Sequence, residues 1–165
     1  MITARDGIDA VAQLNDHLPD FIPCMLIPLR DRYLLVPNAT IAEVMPLPSL
    51  ITDNNKPPYW LGTCSWHENR LPVIDVESLI DSQSLNISDA NKLCVFHGLN
   101  VNTEFRAYSL PCCGVPQLIY INETALQYAS NTDDSDYLHF KIEIGNKSAY
   151  MPNLNAIEAT IHQQR

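Results

Sequence analysis

YWLGTCSWHENRLPVIDV, residues 59–76, consists of two apolar runs on either side of a polar stretch. The apolar runs are Tyr59–Trp66 and Leu71–Val76, and the polar residues between them are His67–Arg70. Short apolar runs joined by a few polar residues are typical of a β-hairpin. We therefore predict two antiparallel strands here, connected by a turn at the surface.

Similar short runs lie on both sides of this hairpin. Further strands are predicted at residues 23–29, 33–36, 41–45, 93–96, 104–110, 118–121, 138–144 and 148–151. Glycine is scarce, at 5 residues, whereas proline occurs 12 times, which suits many short strands and turns better than a helical bundle. The predicted fold class is therefore mainly β, with two five-stranded, SH3-like barrels.

Helical spacing of apolar residues occurs only near the two ends of the chain. One short helix is predicted at residues 6–18, where Ile8, Val11 and Leu14 recur, and another at 153–163. The polar stretch 81–92 is the best candidate for a linker, and it divides the predicted strands into two groups of about five. A chain of 165 residues accommodates both groups in a single domain.

The charge of the chain argues against two classes of partner. Ten basic and 19 acidic side chains give a formal net charge of −9, so nucleic acid and anionic membrane surfaces are predicted to be repelled. No signal peptide or transmembrane run is evident. The five cysteines are odd in number and irregularly spaced, which indicates a reducing compartment rather than a disulfide framework. The predicted location is the cytoplasm.

Patterns that carry chemistry are weak in this sequence. No P-loop, dinucleotide-binding turn, H-E-x-x-H or G-x-S-x-G motif is present. Cys64 and His67 have metal-compatible spacing, but no second pair of ligands accompanies them. Cys112 and Cys113 lie in an apolar turn without a nearby base. We therefore predict no catalytic residue, no metal and no cofactor, with buried thiols as the simpler explanation.

Two acidic residues and two tryptophans stand out within the apolar runs. Glu43 and Asp75 interrupt predicted strands, where a solvent-facing side chain or a structural ion pair is the simplest role. Trp60 and Trp66 lie six residues apart in the hairpin, and aromatic residues of this kind are enriched at protein–protein interfaces. Core packing remains the more frequent role for either ring.

The order of these motifs resembles the CheW family, the coupling proteins of bacterial chemosensory arrays. The family pattern V/I-x-E-V appears as Ile41-Ala-Glu-Val44, and the element G-x-x-N-x-R-G-x-x-x-P-V-x-D-L aligns with Gly62–Val76. Gly62, Pro72, Val73 and Asp75 match it in place. The resemblance extends from about residue 21 onward and is most specific over 33–79. The variant is similar to the divergent CheW-like proteins of type IV pilus (twitching) systems.

This resemblance implies a non-enzymatic adaptor. Its implied partners are the regulatory domain of a CheA-type histidine kinase and the cytoplasmic tip of a chemoreceptor, with possible association with membrane-bound receptor arrays. Three positions depart from the family pattern: its Asn falls at Ser65, its Arg at His67 and its Gly at Glu68. A histidine carries a charge only below its pKa of about 6.5, so receptor docking is placed in doubt.

The partner-binding residues predicted from the sequence lie on two neighbouring segments. They are Ile41, Glu43, Val44, Trp60, Ser65, Trp66, His67 and Glu68. Two other hypotheses stay open at this stage. One is a small-molecule sensor that uses the groove between the barrels, with the loops 46–58 and 127–137 as gates. The other is a cryptic thiol or metal enzyme.

Overall fold

The computed structural model describes residues 21–81, 89–99, 106–132 and 135–164, so the helix predicted at 6–18 lies outside the described residues. The described chain forms, in order, β1 (Phe21–Pro28), β2 (Tyr33–Pro37), a 3-10 turn (Asn38–Thr40), β3 (Ile41–Pro46), β4 (Trp60–Trp66), β5 (Asn69–Ile74), α1 (Val76–Asp81), β6 (Lys92–His97), β7 (Ala107–Cys112), β8 (Gln117–Asn122), α2 (Glu123–Gln127), β9 (Ser130–Asn131), β10 (Leu138–Ile144), β11 (Lys147–Pro152) and α3 (Leu154–His162).

These strands form two sheets. Sheet 1 has the order β9-β10-β11-β2-β1-β8, and sheet 2 has the order β3-β6-β7-β5-β4. Pairing is antiparallel except between β2 and β11 and between β5 and β7. The predicted mainly β class with two SH3-like units is confirmed, although the units are sheets of six and five strands and not the closed barrels that were predicted. Sheet 1 has one strand more than predicted, because the two-residue β9 extends it.

The sheets do not divide the chain where the sequence suggested. Strands on both sides of residues 81–92 belong to sheet 2, because β6 pairs with β3 and β7 pairs with β5. Sheet 1 is built from the beginning and the end of the described chain, and sheet 2 is inserted between them. The predicted split near 81–92 is therefore wrong, because polar composition carries no information about which sheet receives the flanking strands.

Apolar residues of the strands alternate between two sides. One side of sheet 1 and one side of sheet 2 face each other, and with α3 they enclose a shared core that includes Ile27, Leu34, Val36, Trp60, Ile74, Cys94, Phe96, Leu110, Ile157 and Ile161. The other side of sheet 1 encloses Cys24, Leu26, Leu35, Ile121, Ile142 and Ala149. The other side of sheet 2 encloses Cys64, Leu71, Val73, Leu93, Val95 and Ala107. Central strands therefore appear as continuous apolar runs, because both of their faces are buried.

The motif around Gly62 has structural roles. Gly62 has φ 150°, and a Cβ atom there would lie 2.6 Å from the carbonyl oxygen of Ile51, so the close approach of the preceding loop requires glycine. The Asp75 side chain is buried and accepts a 3.2 Å hydrogen bond from the backbone N–H of Ser78. This bond caps α1, a helix that the sequence analysis assigned in part to a strand.

A buried carboxylate joins the two sheets. Glu77 of α1 accepts hydrogen bonds from the backbone N–H groups of Arg30, at 3.2 Å, and Asp31, at 3.0 Å, in the turn between β1 and β2. Arg32 approaches Glu77 at 3.8 Å and bonds Asp81 at 3.0 Å. Burial is the largest influence on Glu77 and raises the pKa of its carboxyl, while the two backbone donors oppose that rise. The first turn of sheet 1 is thereby fixed to the helix that follows β5 of sheet 2.

Candidate protein-interaction site

The hairpin of β4 and β5 turns through two residues. Trp66 pairs with Asn69, and the residues between them, His67 and Glu68, have φ of 45° and 64°. Two consecutive positive φ values define a type I′ turn, which favours Asn and Gly at these positions. Glu68, which stands where the CheW family pattern has glycine, therefore adopts a conformation that suits glycine better. The side-chain amide of Asn69 donates a 3.2 Å hydrogen bond to the carbonyl oxygen of His67 and supports the turn.

Glu43 reaches this hairpin from the opposite edge of sheet 2. A bulge between Ile41 and Glu43 shifts the pairing of β3 with β6. In a regular strand, two residues with one residue between them lie on the same face, and a bulge changes this relation. Because of the bulge, Ile41 packs against the shared core, while Glu43 projects from the other face of the strand toward the end of β4.

Three side chains meet there. The indole Nε1 of Trp66 donates a 2.9 Å hydrogen bond to Oε1 of Glu43, and Nε2 of His67 lies 3.3 Å from the same oxygen. The rings of Trp66 and His67 are in edge contact, with centroids 4.7 Å apart. Since β3 and β4 are the two edge strands of sheet 2, these contacts show that the sheet curls until its edges meet, and side chains bridge the gap.

The bonds to Glu43 stabilise its charged form. The hydrogen bond from Trp66, followed by that from His67, holds the pKa of Glu43 below its ordinary value. The side chain of His67 is 70% exposed and that of Glu43 is 43% exposed. The cluster therefore places a carboxylate, an imidazole and an indole together at the surface, with both polar side chains accessible to solvent.

The other residues predicted to bind partners differ in how far they are exposed. Ser65 is exposed on β4 beside the cluster, whereas Ile41 and Val44 are half-buried against the shared core. Trp60 is only 7% exposed and packs in that core. Its ring is therefore part of the joint between the sheets. The two tryptophans are six positions apart in the sequence, but the bulge between Trp60 and Gly62 gives them different surroundings.

Sequence reasoning missed one exposed apolar surface. Phe21, Leu118 and Tyr120 lie on neighbouring strands of sheet 1 and are at least half exposed. Alternation within Leu118-Ile-Tyr-Ile121 is the sequence signal that could have indicated it.

The surroundings of the cysteines and of the candidate metal ligands do not favour reactivity or metal binding. Burial raises the pKa of Cys94 to about 12 and that of Cys112 to about 11. Burial is also the largest of the influences that raise the pKa of Cys113. These shifts favour the neutral thiol, which is a poor nucleophile and ligand. Cys64 is buried inside sheet 2 while His67 faces solvent, and in the described residues no three His, Cys, Asp or Glu side chains form a metal-binding group.

Comparison with known proteins identifies the family. The model of the CheW-like domain matches residues 23–159, which covers most of the chain. The chain belongs to the CheW-like family. Among solved structures, the scaffolding protein TtCheW from Thermoanaerobacter tengcongensis is similar, with a TM-score of 0.67 and 16% sequence identity over 85% of this chain and 89% of that one. At this identity the similarity concerns the fold. No curated protein sequence is significantly similar to the chain.

Two further features of this CheW-like chain concern the small-molecule sensor hypothesis and the possibility of a membrane-spanning helix. The seam between the sheets, which a small-molecule sensor would use, is filled by the shared core. In the part of the chain that the structure describes, no helix is both long enough and apolar enough to span a bilayer.

Proposed function

We propose that this protein is a non-enzymatic adaptor that couples chemoreceptors to a CheA-type histidine kinase. Membership of the CheW-like family supports the general role. The observation that carries the choice of surface is the cluster of Glu43, Trp66 and His67, which we name the hairpin site. It presents polar and aromatic groups together at the meeting point of two strand edges, and such groups are frequent in protein interfaces.

The pathway is the finer part of the proposal. Resemblance to the divergent CheW-like proteins of twitching systems supports a role in type IV pilus motility, with the adaptor acting in the cytoplasm at receptor arrays. A deletion strain is expected to lose pilus-driven surface movement. Loss of swimming chemotaxis with normal twitching would overturn the pathway and leave the adaptor role intact.

Receptor docking depends on whether His67 replaces the arginine of the family pattern. The 3.3 Å contact with Glu43 supports replacement, because the carboxylate and the imidazole are already paired across the gap. A histidine is charged over a narrower pH range than an arginine and cannot bind a carboxylate in a bidentate manner. We therefore propose that receptor binding weakens as pH rises and that kinase binding is less sensitive to pH.

The test uses the kinase regulatory domain and the receptor tip encoded by the same genome. Trp66→Ala removes both the hydrogen bond to Glu43 and the ring that contacts His67, so we expect binding of at least one partner to weaken by roughly tenfold or more. Phe140→Ala is the control, because this half-exposed ring lies on sheet 1, away from the hairpin site. Calorimetry that finds wild-type affinity of Trp66→Ala for both partners would refute the assignment of this site.

His67→Arg tests the receptor contact separately. An arginine keeps its charge at every pH at which the protein is folded, so binding of the receptor tip by this variant should lose its pH dependence. An unchanged pH profile would show that His67 does not contact the receptor.

A further inference from the structure

The four edge strands of the two sheets differ in how they are protected. β3 carries the bulge at Ile41 and the charged Glu43. β4 has a bulge and is covered by the preceding loop, whose Ile51 exchanges two backbone hydrogen bonds with Thr63, at 2.8 and 2.9 Å. β9 is two residues long. Bulges, charges, covering loops and short strands are the usual means by which proteins prevent pairing at an edge.

Within the described residues, strand β8 has none of these devices. It is six residues long, pairs with β1 in an unbroken register from Gln117 to Asn122, and in the described chain it pairs with no other strand. Its sequence, Gln-Leu-Ile-Tyr-Ile-Asn, contains no charged residue. Under the same physical rule, this edge is open to pairing with another strand.

An apolar surface continues from this edge onto the side of sheet 1 that packs on the shared core, at a part of that side which the core leaves exposed. Tyr120 lies opposite Pro23, and Leu118 lies opposite Met25, so the four side chains share a face. Leu118 is 50% exposed and Tyr120 is 61% exposed. Phe21, on the same face of β1, is 55% exposed.

Charge restricts what can occupy this edge. β1 and β8 together contain no Asp, Glu, Lys, Arg or His, although the whole chain carries a net charge of −9. Two copies of so acidic a chain repel each other over most of their surfaces, and a neutral edge permits contact without placing like charges opposite each other.

We propose that β8 is a homodimerisation edge, where two copies pair their β8 strands in antiparallel fashion about a twofold axis at Ile119. This register places Leu118 of each copy opposite Tyr120 of the other, on the face that β8 shares with Pro23 and Met25. It also places Glu123 opposite Val115 of the other copy, so no like charges are paired. Isologous pairing of this kind is self-complementary and joins the two six-stranded sheets into one. The inference is independent of the adaptor role, because it uses a different sheet from the hairpin site.

Sedimentation velocity of the full chain, from about 10 μM to about 1 mM, tests the proposal. Tyr120→Asp should weaken the dimer by roughly tenfold, because it removes both Leu–Tyr pairs and places two carboxylates near the axis. Tyr128→Asp is the matched control: it adds the same charge at a ring that is 81% exposed and lies outside β8, and it should leave the dimer as in wild type. A wild type that stays monomeric, or two variants with equal effects, would overturn the proposal.

Salt gives an independent signature. Raising ionic strength from about 0.02 M to about 0.5 M screens repulsion between two copies of charge −9, so the dimer should tighten. Weakening by salt would indicate a contact held by opposite charges and would contradict a neutral edge. A chain that remains monomeric but binds an extended apolar peptide at β8 would show that another protein occupies the edge.

Cross-linking tests the register even if Tyr120→Asp proves unstable. In a Cys113→Ser background, the double variant Leu118→Cys, Tyr120→Cys should form intermolecular disulfides between positions 118 and 120 on mild oxidation, since opposite residues of antiparallel strands lie within disulfide range. Mass spectrometry identifies the linked peptides. The absence of that link from the oxidised protein would refute the pairing.

Discussion

Replacing Glu68 by glycine should stabilise the protein, because this residue occupies the second position of the type I′ turn. Its φ of 64° lies in the left-handed region, which costs a residue with a side chain about 1–2 kcal/mol. Glycine avoids that cost but loses about 0.4–1 kcal/mol through the greater freedom of the unfolded chain. The expected net gain in the free energy of unfolding is about 0.5–1 kcal/mol, or roughly 1–4 °C in the midpoint of thermal unfolding for a chain of this size.

Urea and thermal unfolding of the wild type, Glu68→Gly and Glu68→Ala measure this effect. Glu68→Ala removes the same carboxylate and keeps the Cβ atom, so the difference between the glycine and alanine variants isolates the backbone contribution. The reciprocal change is available at Gly145, which has φ 60° and open space around a Cβ atom. Gly145→Ala should lower the free energy of unfolding by about 0.5–1 kcal/mol, because strain of about 1–2 kcal/mol exceeds the gain of about 0.4–1 kcal/mol from the less free unfolded chain. A Glu68→Gly variant no more stable than Glu68→Ala would show that the turn carries no such strain.

The remaining predictions concern the hairpin site, the Gly62 contact and the joint between the sheets. Trp66→Phe keeps an aromatic ring but lacks the N–H donor, so the pKa of Glu43 should rise toward its ordinary value; an NMR titration of the carboxyl carbon that shows no rise would contradict the assigned hydrogen bond. Gly62→Ala should lower the free energy of unfolding by about 3 kcal/mol through clash and strain. Gly114→Ala is the control and should cost less, because its Cβ would meet only a proline ring at 3.2 Å. Equal urea midpoints for the two variants would count against the close approach of Ile51 to Gly62. Because the folded pKa of Glu77 is raised, its contribution to stability is fully present below the unfolded value near 4.5 and declines as pH rises through the folded value. As pH rises from the unfolded to the folded pKa of Glu77, the free energy of unfolding of the wild type should therefore fall relative to that of Glu77→Gln. If the two proteins show parallel curves of stability against pH, the role of burial is refuted.

Patterns in the sequence identified the local elements better than their arrangement. The hairpin at residues 59–76, the capped helix that begins at Leu154 and most strand positions follow from alternation and turn residues, which act over a few positions. The insertion of sheet 2 between two parts of sheet 1 depends on pairing between residues far apart in the chain, which composition does not encode. α1 was missed because its cap, Asp75, follows directly after a strand and has the appearance of a strand residue.

The candidate site shows the same division. Resemblance to the family drew attention to Glu43, and the aromatic content of the hairpin drew attention to Trp66, yet their hydrogen bond required the sheet to curl. The burial of Trp60 depends on which face a bulged strand turns inward, and a single sequence does not reveal a bulge. The departure at Glu68 was interpretable in advance, because the need for glycine in a tight turn is local.

The interleaved order of the two sheets has a consequence for synthesis on the ribosome. Of the strands in the described ranges, all those of sheet 2 have emerged once residue 112 leaves the exit tunnel, whereas sheet 1 then has β1 and β2 and awaits the other four. Until the last part of the nascent chain arrives, the inward side of sheet 2 lacks α3 and the rest of its cover, and exposed apolar surface of this kind attracts chaperones and promotes aggregation. A premature stop codon after β7 would therefore leave a fully paired sheet with an uncovered apolar face. We expect such a truncated chain to be degraded by proteases.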